Sequence, residues 1–241
     1  MVEQRASVPE LAQREPAVLR ITQAVAGYDV PTDGLRIRLS DTGGRIVAQA
    51  NARAARRPIR VQVAAATLDQ AADDLAERLG RRILEAAACW SARPWPDSDD
   101  ASVPSRLPPG ERAINLGLLA RIKIVPLVAC PPEVAAAVMD LMDYPAHLFI
   151  DADTGLDAMV HRSGPTGYRL TRLRPAPPPP ANAIPLTVDP RPAPALEPEQ
   201  AMARLDDTGL GHLFFTDPDS GRGQLLYRRF DTRYTLVKDA G

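Results

Sequence analysis

The sequence predicts an α+β protein with a two-layer N-terminal domain followed by two small β-rich modules in tandem. Two observations carry this prediction. Three successive segments alternate apolar and polar residues between two helical patterns, which is typical of an antiparallel sheet covered on one face by helices. Further along, a stretch rich in aromatic residues occurs twice, at a constant offset of 66 positions and without a gap.

The composition is that of an ordinary globular chain without a global basic charge. The 241 residues are 45 % hydrophobic, and 29 basic against 30 acidic residues give a net charge of −1. Cys89 and Cys130 provide neither a disulfide framework nor a metal-ligand spacing. The sequence has no apolar run of signal-peptide or membrane-span character, so a cytoplasmic protein without a membrane partner is expected.

The N-terminal domain is expected to have a βαβββα arrangement with a truncated first strand. Val2–Arg5 is the candidate for that strand. A helix is expected to begin at a capping box formed by Ser7 and Glu10 and to run to about Ala26. Pro16 is expected to break or kink this helix, because proline lacks the N–H that a helix interior needs.

Three strands and a second helix complete the predicted N-terminal domain. Period-two alternation predicts strands at 35–39, 45–53 and 59–63, with apolar residues on one face and arginines on the other. Leucine and alanine residues at helical spacing predict a helix over 68–88. The two helices would cover the apolar face and leave the arginine-rich face open.

Changes in composition set the boundaries that the sequence predicts. These are 1–88 for the N-terminal domain, 89–114 for a linker rich in Pro, Ser and Asp, 115–174 for the first module, 175–183 for a proline-rich spacer, and 184–241 for the second module. Each module is expected to contain one short helix and a few antiparallel strands.

The repeat predicts that the two modules pack against each other. Phe149 corresponds to Phe215, Arg162 to Arg228 and Tyr168 to Tyr234. Two copies are too few for a solenoid, and a single hairpin cannot bury both of its faces, so a face-to-face pair is expected. The residues predicted to form the pairing interface are Phe149, Val160, Tyr168, Phe214, Phe215, Leu226, Tyr227 and Tyr234.

The sequence offers little that would support catalysis or cofactor binding. The two Asp-x-Asp-x-Gly stretches at 151–155 and 217–221 resemble the opening of a calcium loop, but neither has the later glutamate that an EF-hand needs. Turn chemistry, in which Asp side chains accept backbone N–H groups, explains them better. The three histidines form no recognisable catalytic set, and no nucleophile elbow or phosphate loop is present. No enzyme activity, metal or cofactor is therefore expected.

The arginine-rich face of the N-terminal domain is the candidate functional surface. Between Gly34 and Leu68 there are seven arginines and one acid, Asp41. Guanidinium groups carry a permanent charge and bind phosphate oxygens bidentately, so this face suits salt-dependent contacts with a nucleic-acid backbone. A solvated sheet face is the equally weighted alternative, because the acids Asp69 and Asp73 follow closely.

The final stretch carries a resemblance to a known family. Leu225-Leu226-Tyr227-Arg228-Arg229 and Arg233-Tyr234-Thr235-Leu236, with Phe214-Phe215 and Ser220-Gly221 before them, resemble the C-terminal domain of long-form ribosome hibernation promoting factors. The doubled module and the linker 89–96 are similar to the actinobacterial, and especially mycobacterial, stress-induced branch of that family.

This resemblance implies a non-enzymatic function and a partner. In the family the N-terminal domain binds the decoding region of the small ribosomal subunit, where it touches 16S rRNA and ribosomal proteins, overlaps the path of mRNA and tRNA, and silences the ribosome under stress. The resemblance makes twelve arginines candidates for rRNA binding: Arg14, Arg20, Arg36, Arg38, Arg45, Arg53, Arg56, Arg57, Arg60, Arg78, Arg81 and Arg82.

One departure from the family bears on oligomeric state. Ordinary long forms have a single C-terminal domain that dimerises and joins two ribosomes. If the two modules pair within one chain, they occupy the surface that would recruit a second chain. The sequence therefore predicts a monomer that stabilises idle single ribosomes. A stress-response adaptor that binds a protein partner through its twin modules is the alternative function.

Overall fold

The predicted α+β class is confirmed. The computed structural model describes residues 8–42, 44–93, 118–164, 166–180 and 184–241. Within these ranges the chain forms four helices and twelve strands, and the strands build three sheets. The described residues fall into two compact units. One ends at Trp90 and includes the short segment Leu141–Asp143, and the other contains both modules.

The first unit is an antiparallel three-stranded sheet with two helices on one face. Its elements are α1 (Val8–Ala26), β1 (Thr32–Asp41), β2 (Ile46–Ala54), β3 (Arg57–Ala65) and α2 (Leu68–Ala87). The strand order is β1-β2-β3. Ile59 and Val61 of β3 pack with Ile21 of α1 and Leu75 of α2 in one buried cluster. The candidate strand at Val2–Arg5 lies outside the described residues.

Of the predicted break or kink at Pro16, the break is wrong, because α1 is helical from Val8 to Ala26. A proline inside a helix removes one backbone hydrogen bond and costs about 3 kcal/mol. Ala17, Ile21 and Val25 offset this cost, because they follow helical spacing and are buried in the core of the unit. Tertiary packing therefore outweighs the local preference.

The second unit contains two sheets and two helices. The elements of the first repeat are β4 (Leu119–Val125), β5 (Ala129–Cys130), α3 (Pro132–Leu141), β6 (Ala146–Asp151), β7 (Leu156–Ser163) and β8 (Gly167–Arg172). Those of the second are β9 (Leu186–Val188), α4 (Pro198–Thr208), β10 (His212–Thr216), β11 (Gly223–Arg228) and β12 (Tyr234–Asp239). The 66-residue offset places each helix and each hairpin strand on its counterpart.

The first strand of each repeat belongs to the sheet of the other repeat. The sheet orders are β5-β6-β7-β8-β9 and β10-β11-β12-β4, so β9 completes the first module and β4 completes the second. Both added strands are parallel to their neighbours. Thr187 pairs with Arg169, and at the counterpart positions Arg121 pairs with Thr235. The exchange is therefore reciprocal and has the same register in both directions, apart from a one-residue shift between Tyr234 and Thr235.

The two sheets also share a core. Leu148 and Met159 of the first module pack with Phe214 and Leu225 of the second. On the other face of the second sheet, α4 covers a separate cluster that includes Phe215. The chain boundaries predicted at 115–174 and 184–241 thus follow the repeat in sequence, whereas each folded module takes one strand from the other range.

A cut in the spacer tests whether this exchange holds the modules together. With a protease site inserted within 175–183, the cleaved fragments should remain bound, because β4 and β9 are each hydrogen-bonded to the other fragment. We expect the fragments to elute together in native size-exclusion chromatography and to separate in 6 M urea. Separation of the fragments in native buffer would contradict the exchanged arrangement.

Candidate nucleic-acid interface and module pairing surface

The outer face of the N-terminal sheet carries arginines and amides. Arg36 and Arg38 point away from the helices because they alternate with the packed residues of β1, and both are exposed. In the strand register Arg36 lies opposite Asn51, and Asn51 lies opposite Arg60. In the next row of the sheet, Arg38 lies opposite a glutamine of β2, which lies opposite a glutamine of β3. The face is thus built from donors that suit phosphate and base oxygens.

A tight hairpin between β2 and β3 adds arginines at the end of this face. Ala54 pairs with Arg57, so the turn consists of only Ala55 and Arg56, whose φ angles are 47° and 66°. Such a turn normally prefers Asn-Gly, and each side chain in this conformation costs roughly 1–2 kcal/mol. The strained turn presents the exposed side chain of Arg56 at its tip.

Four arginines of this surface have no interaction with other described residues through their guanidinium groups. We call Arg36, Arg38, Arg53 and Arg56 the open arginines. All four are exposed. Asp33 lies opposite Arg53 in the register and offsets part of the charge at that position. The open arginines therefore keep their donors available for an external anion.

Other candidate arginines are exposed but already have partners. Arg45 donates to the carbonyl of Ala64 (2.9 Å), and Arg57 donates to the carbonyl of Ala88 (3.3 Å). Arg20 forms ion pairs with two aspartates of α2, and these hydrogen bonds raise its pKa. On the helices, one more candidate is half-buried and one is exposed, namely Arg14 and Arg81.

The remaining candidates are engaged inside the first unit. Arg78 and Arg82 are 5 % and 1 % exposed, and Arg78 Nη2 lies 2.5 Å from Asp143 Oδ1. Arg60 Nη1 donates to the backbone carbonyls of Met142 (3.3 Å) and Asp143 (3.1 Å). A buried guanidinium is stable only with such partners. Sequence patterns could not indicate these partners, because Asp143 lies 65 residues from Arg78.

Most of the residues predicted to pair the modules lie on the strand face opposite to the one that pairs them. Of the predicted residues, Phe214 lies between the sheets. Tyr227 is on the same face of the β10–β11 pair as Phe214, and its hydroxyl accepts a hydrogen bond from Lys123 (2.6 Å). The other predicted residues are on the opposite strand faces, which the helices cover. These are Phe149, Val160, Tyr168, Phe215, Leu226 and Tyr234. Consecutive apolar pairs such as Leu148-Phe149 could have indicated that both faces are buried.

The two tyrosines on the helix-covered faces anchor α3 and α4. Tyr168 Oη donates to Asp140 of α3 (2.6 Å), and burial raises the pKa of Tyr168 to about 12. Arg93 Nη2 donates to the same carboxylate (2.7 Å). In the second module Tyr234 donates to Asp206 of α4 at the counterpart positions. Arg228 Nη2 donates to Asp206 (2.8 Å), so each module joins its tyrosine to an aspartate of the helix and an arginine, although Asp140 is buried and Asp206 is half-exposed.

Two imidazoles meet between the sheets. The rings of His161 and His212 are edge to face, with centroids 4.7 Å apart. Burial lowers the pKa of His212 to about 4, and burial, followed by the neighbouring His212 and Arg169, lowers the pKa of His161 well below 6.5. His147, on the opposite face, has its pKa lowered to about 4 by burial. The folded unit therefore favours neutral imidazoles.

The aspartate turns have structural partners in their own modules. Asp151 Oδ1 accepts the N–H of Asp153 (3.1 Å), and its Oδ2 accepts Arg172 Nε (2.6 Å). Among the described residues, no group of three potential ligands is placed to hold a metal ion. No helix in the same ranges is long and apolar enough to span a membrane.

Comparisons with known proteins agree with this architecture. Residues 118–170 match the family described as Sigma 54 modulation/S30EA ribosomal protein C terminus. The chain is 41 % identical over 221 residues to the dormancy associated translation inhibitor of Mycobacterium tuberculosis, in strains CDC 1551 and H37Rv. That alignment covers 87 % of this chain and 78 % of each relative.

The S30EA-type match and the similarity to this translation inhibitor define the class of ribosome-associated hibernation factors. The chain belongs to the long-form ribosome hibernation factor family, in the mycobacterial dormancy branch with two C-terminal modules.

The histidine pair makes the second unit sensitive to acid. An imidazole with a folded pKa near 4 and an unfolded pKa near 6.5 contributes full stability above pH 6.5 and loses it as the pH falls towards 4. At pH 5 the loss is roughly 1–2 kcal/mol for His212, and the lowered pKa of His161 acts in the same direction. We expect His161→Tyr, which introduces the residue found at counterpart position 227, to reduce the fall in Tm between pH 7 and pH 5. An unchanged pH profile would contradict this assignment.

Proposed function

We propose that this protein is a translation inhibitor that binds the decoding region of the small ribosomal subunit in the cytoplasm under stress. There it would block the path of mRNA and tRNA and stabilise the idle ribosome, with no chemical step. Family membership supports the partner. The observation that carries the surface assignment is the set of open arginines on the sheet face that the helices leave uncovered.

The geometry of the open arginines suits a phosphate backbone. Arg36 and Arg38 are two positions apart on one strand, so their side chains leave the same face about 7 Å apart. Arg53 and Arg56 extend the charge to the hairpin tip. The sheet already fixes the backbone at these arginines, so only their side chains have to be ordered on binding. RNA binding through such contacts should weaken steeply as salt rises.

We further propose that the protein acts as a monomer on single ribosomes. The strand edges of β8 and β12 are each paired with a strand of the other module, and the apolar faces of the two sheets cover each other. These surfaces are therefore not available to a second chain. The proposal accounts for a repeat that a chain-to-chain dimer would not need.

Charge reversal of the open arginines tests the surface. We expect Arg36→Glu/Arg38→Glu/Arg53→Glu to reduce binding to isolated small subunits at least tenfold in co-sedimentation, and to flatten the salt dependence of log Kd by roughly one per lost phosphate contact. The matched control is Arg174→Glu/Arg191→Glu/Arg204→Glu, which changes the net charge equally at exposed positions of the second unit. Equal binding of both variants and the wild type would contradict the assignment, and stronger loss in the control would assign the ribosome contact to the second unit instead.

Oligomeric state is tested by adding the protein to idle ribosomes. Sucrose gradients should show single ribosomes protected from dissociation and no increase in paired ribosomes. The free protein should have the mass of one 26.0 kDa chain in light scattering at all concentrations tested. A strong paired-ribosome peak, or a mass of two chains, would reject the monomer proposal while leaving ribosome binding intact.

A further inference from the structure

Two counterpart positions of the repeat face each other in the centre of the second unit. Asp157 of β7 and Gly223 of β11 are 66 residues apart, so each occupies the place of the other in its own module. A Cβ atom at position 223 would lie 2.8 Å from the Cβ of Asp157. In a two-fold arrangement, a position that touches its own counterpart lies at the axis. This axis has room for one side chain.

The side chain at the axis is a carboxylate with partners from the other module. Asp157 is 4 % exposed. Its Oδ2 accepts the N–H of Gly223 (2.7 Å) and Arg222 Nε (2.8 Å), and its Oδ1 accepts Arg222 Nη2 (3.1 Å). The same Arg222 reaches Asp239 (2.5 Å), and its hydrogen bonds to Asp157 raise its pKa. The buried charge is therefore paired only when the second module is opposite.

We propose that Asp157, Gly223 and Arg222 form the specificity element by which the first module accepts the second module and rejects a copy of itself. This inference rests on the intrachain pairing described under the proposed function. These three residues determine whether the modules pair within one chain or with a second chain.

The alternative pairings are disfavoured for different reasons. Two first modules would place two carboxylates and two Cβ atoms in a space that holds one, and like charges buried together are strongly unfavourable. Two second modules would place glycine against glycine and leave the N–H of Gly223 and the guanidinium of Arg222 without the buried acceptor. Only the pair of one first module and one second module has room for the side chain at the axis and gives its carboxylate a partner.

Substitutions within the full chain recreate these alternatives. Asp157→Gly reproduces the glycine pair, and Gly223→Asp reproduces the carboxylate pair. A Cβ at position 223 would also lie 2.7 Å from the Phe214 ring, so the second variant carries Phe214→Leu, the residue at counterpart position 148. In the variant with all three changes the side chain at the axis comes from the second module, and the Phe214→Leu change makes room for it.

The decisive result is a change in the sign of the Tm shift that Asp157→Gly causes. Asp157→Gly should lower Tm by about 5 °C in the wild-type chain, and should raise Tm by a similar amount in the Phe214→Leu/Gly223→Asp chain. Asp153→Gly removes an exposed carboxylate of the same module and should have the same small effect in both chains. If Phe214→Leu/Gly223→Asp does not fold, Asp157→Gly should restore folding.

Two results would overturn the inference: a Tm change of the same sign in both chains, or no recovery of the Phe214→Leu/Gly223→Asp chain on adding Asp157→Gly. The mass of the wild-type chain is read separately by light scattering. A wild-type dimer would reject the monomer proposal, whereas a wild-type monomer with no change of sign would reject only the specificity element.

Discussion

The reciprocal exchange of β4 and β9 is the constraint on which the second unit depends. Each strand is separated in sequence from the sheet it completes, and each supplies the backbone partners of an otherwise unpaired edge. An unpaired edge is a template for association with other chains. The exchange satisfies these edges inside the chain, and it holds the sheets in the position in which Leu148, Met159, Phe214 and Leu225 share a core. The backbone pairing and the apolar burial therefore require each other.

The arginines of this chain divide into two groups with different physical roles. Arg78, Arg172 and Arg222 are bound to carboxylates of their own unit, where they neutralise buried charge. Within the part of the chain that the structure describes, no carboxylate binds the guanidinium groups of the open arginines. Residue type alone does not separate the groups, because each contains arginines on regular elements and one outside them, Arg56 among the open arginines and Arg222 among the bound ones. What separates them is whether a carboxylate distant in sequence reaches the guanidinium, and this follows from the tertiary structure.

Local patterns in the sequence were sufficient for most of the architecture. Alternation located the three N-terminal strands, and the 66-residue offset located both modules, since each element is short and bounded by turns. The face that pairs the modules could not be chosen in this way. Leu148 and Phe149 are both large and apolar, so their alternation does not say which one meets a helix and which one meets a sheet. The strand exchange was also hidden, because β4 pairs with residues more than 100 positions away.

Joining two modules in one chain permits an asymmetric contact at the axis, which a symmetric dimer does not have. In a dimer of identical chains, a residue at the two-fold axis meets its own copy, so an aspartate there would face an aspartate. A duplicated chain can place Asp157 on one side and Gly223 on the other, and can add Arg222 on one side only. The spacer also makes the pairing intramolecular, so its equilibrium does not depend on protein concentration. The two modules would thus pair even at concentrations too low for separate chains to associate.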